Sequence, residues 1–406
     1  MFFAIAFVLL TCLALGLYYL YIPLPKEIAN RSQTTLVELF LRFFHKYPGN
    51  LLTSVLGSEW HLWWSRKFCR LTALKAAPKD PSIIVNSESF DEVPVLVYEP
   101  ASGTKSAFIF LHGGGMVLYE RGHYEAAMVN LAKKTGRLVV SVQYRLAPEH
   151  PFPCAVEDCE KATVHFLKNC QPLYSVNPTD VVIGGDSAGG NLAAVVANRL
   201  SANESFPVLK GQILIYPWTQ FLDFQSPAYQ RYHKQMKGTG LLSPDLTGRW
   251  FLNYAGCSAP TKRHINDVIS NNHVTSEASQ SERQSFLNVS HALLPEKCKT
   301  GKFYEGVKQG TKENQELYDT LKPLLLNPDF SPLMHPDLTG MPTALVITCG
   351  FDILRDDGVW YVEKLRSFGV RADWMHFPKS VHGVFLFPGK QADEMMLKIT
   401  QFIDSL

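Results

Sequence analysis

One short string leaves little freedom in how the surrounding backbone folds. It reads Gly-Asp-Ser-Ala-Gly at 185–189, between an apolar run at 181–184 and an alanine- and valine-rich stretch at 191–197. The flanking patterns predict a β-strand before Ser187 and an α-helix after it. A serine on so sharp a turn projects from the sheet, and the glycines beside it let neighbouring backbones approach closely. The string therefore predicts an α/β sheet with an accessible serine hydroxyl at its edge.

Strand and helix patterns alternate along most of the chain. We expect strands at 92–98, 108–111, 138–143, 181–184, 211–216, 344–349 and 373–377, and helices at 124–135, 155–169, 191–201, 358–368 and 390–403. This alternation is typical of a mostly parallel sheet flanked by helices. With 406 residues, 46% of them hydrophobic, the chain can form one large domain, which we place at 26–406. An aromatic-rich helical stretch at 33–76 and a long insertion at 226–332 fall outside the alternation.

A serine hydroxyl becomes a good nucleophile when an imidazole takes its proton and a carboxylate holds that imidazole. In a sheet of this kind the partners follow in the order serine, acid, histidine. Asp352 follows a predicted strand, and His382 lies in a loop before the last helix. We therefore predict a triad of Ser187, Asp352 and His382. Asp356 and Asp357 are alternative acids, but we interpret them as charges at the start of a helix.

A second string, His-Gly-Gly-Gly, begins at His112 directly after a predicted strand. Successive glycines leave backbone N–H groups free to face a developing oxyanion. We predict Gly113, Gly114 and Ala188, the residue after the nucleophile, as the donors. His112 completes the predicted oxyanion hole as a residue that orients this loop, in preference to a proton carrier.

These strings, with Tyr-Arg-Leu-Ala-Pro-Glu-His-Pro-Phe-Pro at 144–153 and Asp-Ile-Leu-Arg-Asp-Asp-Gly from Asp352, resemble the hormone-sensitive-lipase-type α/β-hydrolases. The N-terminal apolar segment and the stretch at 286–296 are similar to the arylacetamide deacetylase branch. The resemblance implies an α/β-hydrolase fold, a triad and oxyanion hole on the residues named above, and a cap formed by 33–76 and 226–332. It implies hydrolysis of hydrophobic carboxylic esters, with aryl acetamides and neutral lipid esters as alternatives.

The chain departs from that family at two places. Met116 and Val117 follow the glycines where the family usually has tryptophan and often cysteine, and the stretch at 259–285 is polar and longer than expected. Both changes affect the expected substrate more than the chemistry. They leave two alternatives open, a catalytically idle lipid- or ligand-binding protein and a membrane-tethered interaction protein that docks through 259–285.

Residues 2–22 carry no charged side chain and are long enough to cross a bilayer as a helix. Pro23 and Pro25 end this stretch. A cleaved signal peptide is the alternative, but the apolar run is longer than usual and no clear small-x-small site follows it. We predict an uncleaved signal anchor at 1–25.

The orientation of this anchor rests on opposing signals. The positive charges after it, Lys26 and Arg31, favour a cytosolic body. Glycosylation sequons at Asn203 and Asn288 favour a lumenal body, whereas a third sequon at Asn30 lies too near the membrane to be used. The family resemblance implies the endoplasmic reticulum lumen, so we predict a single-pass type II membrane protein glycosylated at Asn203 and Asn288.

The sequence lacks the patterns typical of nucleic-acid binding, metal binding and phosphate binding. The net charge of +2 comes without a basic run, which argues against nucleic acid as a partner. We find no metal-ligand cluster and no phosphate-binding loop, so we expect no cofactor. The expected partners are the membrane and a hydrophobic ester or amide, and the oligomeric state stays open.

Overall fold

Eight strands form one sheet in the computed structural model, which describes residues 6–7, 10–11, 24–72, 80–257, 259–275, 279–299, 302–387 and 389–406. In chain order the strands are β1 (Ile83–Phe90), β2 (Val93–Pro100), β3 (Ala107–Leu111), β4 (Leu138–Val142), β5 (Val181–Asp186), β6 (Gly211–Ile215), β7 (Ala344–Phe351) and β8 (Ala372–Val381). Their order in space is β1-β2-β4-β3-β5-β6-β7-β8. The β1–β2 and β2–β4 pairs are antiparallel and all other pairs are parallel.

All seven predicted strands are present, within four residues at each end. The central strands β3, β4 and β5 are buried along their whole length, as expected of parallel strands covered by helices on both faces. The sequence prediction missed β1. Among the described residues that strand pairs only with β2, and most of its side chains are exposed, so it has no apolar run to reveal it.

Helices cover both faces of the sheet and form the two interruptions. They are α1 (Arg31–Leu41), α2 (Tyr47–Leu56), α3 (Glu59–Thr72), α4 (Glu125–Thr135), α5 (Cys154–Tyr174), α6 (Ala188–Ser201), α7 (Pro227–Gln235), α8 (Pro244–Tyr254), α9 (Lys262–Ile269), α10 (Gln280–Phe286), α11 (Glu296–Lys299), α12 (Gln315–Leu325), α13 (Arg355–Ser367) and α14 (Lys390–Asp404). A π-helical segment, Arg42–Lys46, joins α1 to α2. Short 3₁₀ turns lie at Arg121–Tyr124, Leu287–Val289, His291–Leu293, Pro332–Met334 and Val384–Leu386. The five predicted helices correspond to α4, α5, α6, α13 and α14.

The described residues of the two stretches that interrupt the alternation are largely helical and lie outside the sheet, whereas 73–76, 258, 276–278 and 300–301 are outside the described residues. Helices α1 to α3 precede β1, and α7 to α12 lie between β6 and β7. Asn191, in the first turn of α6, donates from Nδ2 to the carbonyl oxygens of Trp218 and Phe330, each at 2.9 Å. Trp218 follows β6 and Phe330 follows α12, so one side-chain amide holds both ends of the insertion.

The N-terminal helices are attached to the sheet through Arg66 on α3. Its Nε donates to the carbonyl oxygen of Val117 at 2.9 Å, and its Nη2 donates to that of Ala147 at 2.7 Å. Nη1 and Nη2 also bind the Glu149 carboxylate. The guanidinium thus joins α3 to the two loops that carry Val117 and Ala147.

The predicted membrane span at 2–22 lies outside the described residues except for positions 6, 7, 10 and 11. Within the part of the chain that the structure describes, the helices are too short or too polar to cross a bilayer.

Candidate active site

The turn at Ser187 joins β5 directly to α6. Ser187 has φ 55° and ψ −120°, and its N–H donates to the carbonyl oxygen of Ile215 at 2.8 Å. A Cβ atom at Gly185 would lie 2.3 Å from the carbonyl oxygen of Leu111, and one at Gly189 would lie 1.9 Å from it. Side chains at these two positions would displace β3, which confirms the prediction that glycines permit the close approach.

Three side chains from the carboxyl edge of the sheet meet at this turn. His382 Nε2 lies 3.0 Å from Ser187 Oγ, and His382 Nδ1 lies 2.8 Å from Asp352 Oδ2. The other oxygen of Asp352 accepts the N–H of Leu354 at 2.9 Å, which fixes the carboxylate. Because β5, β7 and β8 are parallel, the residues that follow them meet at one edge. The structure therefore brings the three residues of the predicted triad within hydrogen-bond distance.

The two alternative acids are held elsewhere. Asp356 and Asp357 lie in the first turn of α13, as predicted, but both are fully buried. Asp356 accepts the N–H of Ala228 at 2.7 Å, and Asp357 accepts the N–H of Thr219 at 3.1 Å. Burial raises the pKa of Asp357 well above its usual value. These carboxyl groups attach the start of the insertion to the sheet, and only Asp352 meets His382.

The prediction that Gly113 donates to an oxyanion is wrong in this structure. Its N–H is already donated to Asp186 Oδ1 at 2.8 Å and lies 3.0 Å from the Tyr124 hydroxyl oxygen. The Tyr124 hydroxyl in turn donates to Asp186 Oδ2 at 3.2 Å. Asp186 is 2% exposed, and burial raises the pKa of its carboxyl to about 6. Sequence reasoning gave Asp186 no role, although it stands inside the serine string.

The backbone N–H groups of the other predicted donors are not engaged in this way, and neither is that of Gly115. No described residue accepts a hydrogen bond from the N–H of Gly114, Gly115 or Ala188. Gly114 has φ +107°, and a Cβ atom there would lie 2.5 Å from the carbonyl oxygen of Leu118. Gly115 has φ +64°. Glycine is therefore required at these two positions for the backbone conformation of the loop. The sequence analysis did not predict these positive φ angles.

His112 is fully buried below the glycine loop. Its Nδ1 lies 2.8 Å from the carbonyl oxygen of Gly113, and its ring stacks on Tyr144 with centroids 4.3 Å apart. The Tyr144 hydroxyl donates to the carbonyl oxygen of His112 at 2.6 Å. Burial lowers the pKa of His112 to about 4, so the ring is neutral at pH 7. These contacts support the orienting role over the proton-carrying role.

A cavity of about 190 Å³ opens above Ser187 and His382. Most of its wall is apolar and comes from three parts of the chain. The N-terminal helices, the insertion and the segment before α14 contribute, among others, Val37, Leu41, Leu242, Trp250, Leu386 and Phe387. Both stretches expected to form a cap therefore line this cavity.

The two predicted glycosylation sites differ in their surroundings. Asn203 is exposed, and its Oδ1 accepts the N–H of Ser205 at 3.0 Å. Asn288 is half-buried, donates from Nδ2 to the carbonyl oxygen of Ser285 at 2.8 Å, and accepts from Lys364 Nζ at 3.1 Å. The acceptor nitrogen of Asn288 is therefore engaged in the folded chain.

The sheet order, the sharp turn that carries Ser187 and the insertion between β6 and β7 define a hydrolase of the α/β-hydrolase class. A family model described as alpha/beta hydrolase fold matches residues 108–279 and 296–386. Arylacetamide deacetylase from Bos taurus is 34% identical, over 91% of this chain and 90% of the bovine protein. Neutral cholesterol ester hydrolase 1 from Mus musculus is 33% identical, over 92% of this chain and 91% of the mouse protein.

The fold also matches solved structures. An esterase from Pyrobaculum calidifontis is 26% identical with a TM-score of 0.60, over 88% of this chain and 97% of the esterase. The chain therefore belongs to the α/β-hydrolase family, within its hormone-sensitive-lipase-type branch, and it is arylacetamide deacetylase-like, as its strings predicted. The names of these relatives agree with the prediction of a carboxylic ester hydrolase.

Proposed function

We propose that this protein hydrolyses carboxylic esters through a covalent acyl intermediate on Ser187. The observation that carries the proposal is the position of His382, with one ring nitrogen 3.0 Å from Ser187 Oγ and the other 2.8 Å from Asp352 Oδ2. Such a chain of contacts lets the imidazole take a proton while the carboxylate holds its tautomer and stabilises the imidazolium. A ligand-binding protein without catalysis has no need of this alignment.

The reaction follows from these contacts in two halves. Ser187 Oγ attacks the ester carbonyl carbon while its proton moves to His382 Nε2, and the leaving alkoxide then takes that proton as the C–O bond breaks. Water attacks the acyl-serine ester in the second half, gives its proton to His382 and releases the carboxylic acid. The proton returns to Ser187 Oγ, so the enzyme is regenerated.

The oxyanion that forms in each half needs backbone donors. Gly114, Gly115 and Ala188 have N–H groups without an acceptor among the described residues, and Gly114 borders the same cavity as Ser187. We assign the oxyanion hole to the N–H groups of these three residues, and His112 orients their loop. The N–H of Gly113 binds Asp186 and does not contribute to the hole. One such donor is typically worth about 3 kcal/mol in the transition state.

We assign the substrate class from the cavity and the relatives together. A cavity of about 190 Å³ is smaller than the roughly 300–1,000 Å³ typical of sites for drug-sized ligands. A short acyl group fits such a volume, with the alcohol part directed toward the apolar wall formed by the cap. The names of the bovine and mouse relatives specify an aryl acetamide and a cholesterol ester. Short-acyl esters of hydrophobic alcohols combine these features, and aryl acetamides are the second substrate class.

The proposal also places the enzyme in a membrane. Residues 2–22 are uncharged and long enough to span a bilayer, so we assign 1–25 to a signal anchor and 26–406 to the catalytic domain. Residues 33–76 and 226–332 form its cap. The sequons at Asn203 and Asn288 support a catalytic domain in the endoplasmic reticulum lumen.

The experiment that tests the activity uses the full chain in membranes and a series of p-nitrophenyl esters from acetate to long acyl chains. We expect hydrolysis that favours short chains and disappears with Ser187→Ala. Ser201→Ala, at the far end of α6, is the matched control and should retain full activity. A fluorophosphonate probe should label the wild type and the control but not Ser187→Ala. Absence of both hydrolysis and labelling in the wild type would show a catalytically idle binding protein.

A further inference from the structure

The helix that begins the described part of the catalytic domain has its polar and apolar sides reversed. α1, the π-helical segment and α2 form one continuous helical run from 31 to 56. Glu38, Arg42 and His45 are buried on its inner side. Arg42 Nη2 binds Glu38 Oε2 at 3.0 Å, and Glu38 Oε1 accepts the N–H of Gly240 at 3.0 Å. Both members of this charged pair are therefore withdrawn from water, and Glu38 binds the insertion through Gly240.

The outer side of the same run is apolar. Its exposed side chains recur at intervals of three, four or seven residues, which places them on one stripe. Leu36, Leu51 and Val55 are 69%, 65% and 70% exposed. Phe40, Phe43 and Phe44 are exposed between them, and we call these six residues the apolar stripe.

No charged residue interrupts this surface. Between 32 and 58 the charged side chains are Glu38, Arg42 and Lys46, of which the first two are buried. Lys46 is half-buried, and its ammonium group donates to the carbonyl oxygen of Thr239 at 2.8 Å. The next helix, α3, adds exposed indole rings at Trp60 and Trp63. Soluble proteins rarely leave so long an apolar surface in contact with water.

The preceding sequence indicates what covers the apolar stripe. The uncharged residues 2–22 end two positions before Leu24, which is buried in the core, and Ile28 is buried as well. The chain therefore passes directly from the proposed anchor into the hydrolase body. α1 begins at Arg31, and the apolar stripe starts on it at Leu36, 14 residues after the uncharged run ends at position 22.

We infer that the apolar stripe and the indoles of α3 lie in the surface of the lipid bilayer that holds the anchor. The occupant of this surface is the acyl-chain and headgroup boundary, where helices with an apolar face and tryptophan side chains are stable. The inference rests on the proposed anchoring. The catalytic domain then contacts the bilayer directly through the apolar stripe, in addition to its attachment through the anchor.

This position gives the active site a supply of substrate. The side of α1 next to the apolar stripe contributes Thr34, Val37 and Leu41 to the wall of the cavity above Ser187. One helix thus separates the bilayer from the cavity. A hydrophobic ester dissolved in the bilayer then reaches Ser187 past α1 without crossing water.

The first test compares two acetates that differ only in their alcohol, in phosphatidylcholine vesicles carrying the full-length protein. p-Nitrophenyl acetate reaches the site through water, whereas hexadecyl acetate is dissolved in the bilayer. For Leu51→Lys/Val55→Lys we expect kcat/KM for hexadecyl acetate to fall by about tenfold, because two ammonium groups lift the helix from the apolar boundary. Hydrolysis of p-nitrophenyl acetate should stay within about twofold, since both positions are exposed and lie outside the cavity.

The matched control is Leu173→Lys/Val208→Lys. These side chains are 62% and 53% exposed, but they lie before β5 and β6, at the opposite edge of the sheet from Ser187. Both activities of the control should remain unchanged. Equal hydrolysis of hexadecyl acetate by the wild type and Leu51→Lys/Val55→Lys would overturn the inference.

The second test needs no catalysis and so separates this inference from the proposed activity. Vesicles with brominated acyl chains quench tryptophan that lies in the bilayer. We expect the wild-type protein to be quenched more strongly than Trp60→Phe/Trp63→Phe. Equal quenching of the two would refute contact with lipid. If equal quenching came with a concentration-dependent dimer that Leu51→Lys/Val55→Lys dissociates, a second copy of the chain would be the occupant instead.

Discussion

The burial of the Asp186 carboxyl beside the glycine loop has a cost that can be measured as a function of pH. Burial raises the pKa of the Asp186 carboxyl from 3.8 to about 6. One unit of pKa corresponds to about 1.4 kcal/mol, so the ionised carboxylate lowers the free energy of unfolding by about 3 kcal/mol. In Asp186→Asn the amide oxygen can still accept the N–H of Gly113, while the buried charge is removed. We therefore expect Asp186→Asn to stabilise the folded protein at pH 7.5.

The sign of the effect follows from the two pKa values. Below about pH 4 the carboxyl is protonated in both the folded and the unfolded chain, so the full stability is present. As pH rises from 4 through 6, the unfolded chain ionises first, and the wild type loses about 3 kcal/mol of stability through this group. Asp186→Asn lacks this loss. The difference in free energy of unfolding between Asp186→Asn and the wild type should therefore grow between pH 4 and pH 6 and stay constant above pH 6.

Thermal unfolding of the full chain in detergent measures this difference. An unfolding entropy of about 2.1 cal/mol/K per residue over 406 residues converts about 3 kcal/mol into a shift of about 3.5 °C in Tm at pH 7.5. Asp337→Asn is the control, because this exposed carboxylate binds Thr339 and has a lowered pKa. Its removal should give no stabilisation as pH rises. A Tm difference of equal size at pH 4 and pH 7.5 for Asp186→Asn would refute burial of the charge as its cause.

Three further outcomes follow from the site. Asp352→Asn should lower kcat for p-nitrophenyl acetate by about 10⁴-fold, because an amide favours the wrong tautomer of the imidazole, and a loss below tenfold would contradict the proposed triad. Gly114→Ala should lower kcat/KM at least about 100-fold, since its Cβ would lie 2.5 Å from a backbone oxygen and displace an oxyanion donor. Asn203→Gln should remove a larger share of the glycosidase-sensitive mass than Asn288→Gln, because Asn203 is exposed whereas Asn288 Nδ2 is bonded. An unglycosylated wild type would count against the lumenal assignment.

The sequence was informative where local pattern and tertiary structure require the same thing. The turn at Ser187 needs glycine on both sides, and the central strands need apolar runs, so both were visible before the fold was known. Asp352 and His382 were found because the order of residues along the chain maps onto neighbouring parallel strands. Asp352 follows β7 and His382 follows its neighbour β8, and Asp352 Oδ2 lies 2.8 Å from His382 Nδ1.

The sequence failed where a contact is made at long range. Nothing near Gly113 indicates that its N–H binds a carboxylate of Asp186, so Gly113 was predicted as an oxyanion donor although this N–H is already engaged. The burial of Asp356 and Asp357 was missed because charges in a first helical turn are usually exposed. Strand β1 was missed because an edge strand with one partner needs little apolar sequence.

The bonds from Asn191 to Trp218 and Phe330 bear on how enzymes of this shape diverge. The long insertion leaves the sheet and returns to it at one amide group, in the first turn of the helix that follows Ser187. Its two ends are thus fixed beside each other, and a flexible loop with fixed ends tolerates a doubling of length at a cost of about 0.6 kcal/mol. We therefore expect changes of length between these ends to leave the nucleophile in place. Trp218 and Phe330 are accordingly natural junctions for transplanting specificity between relatives.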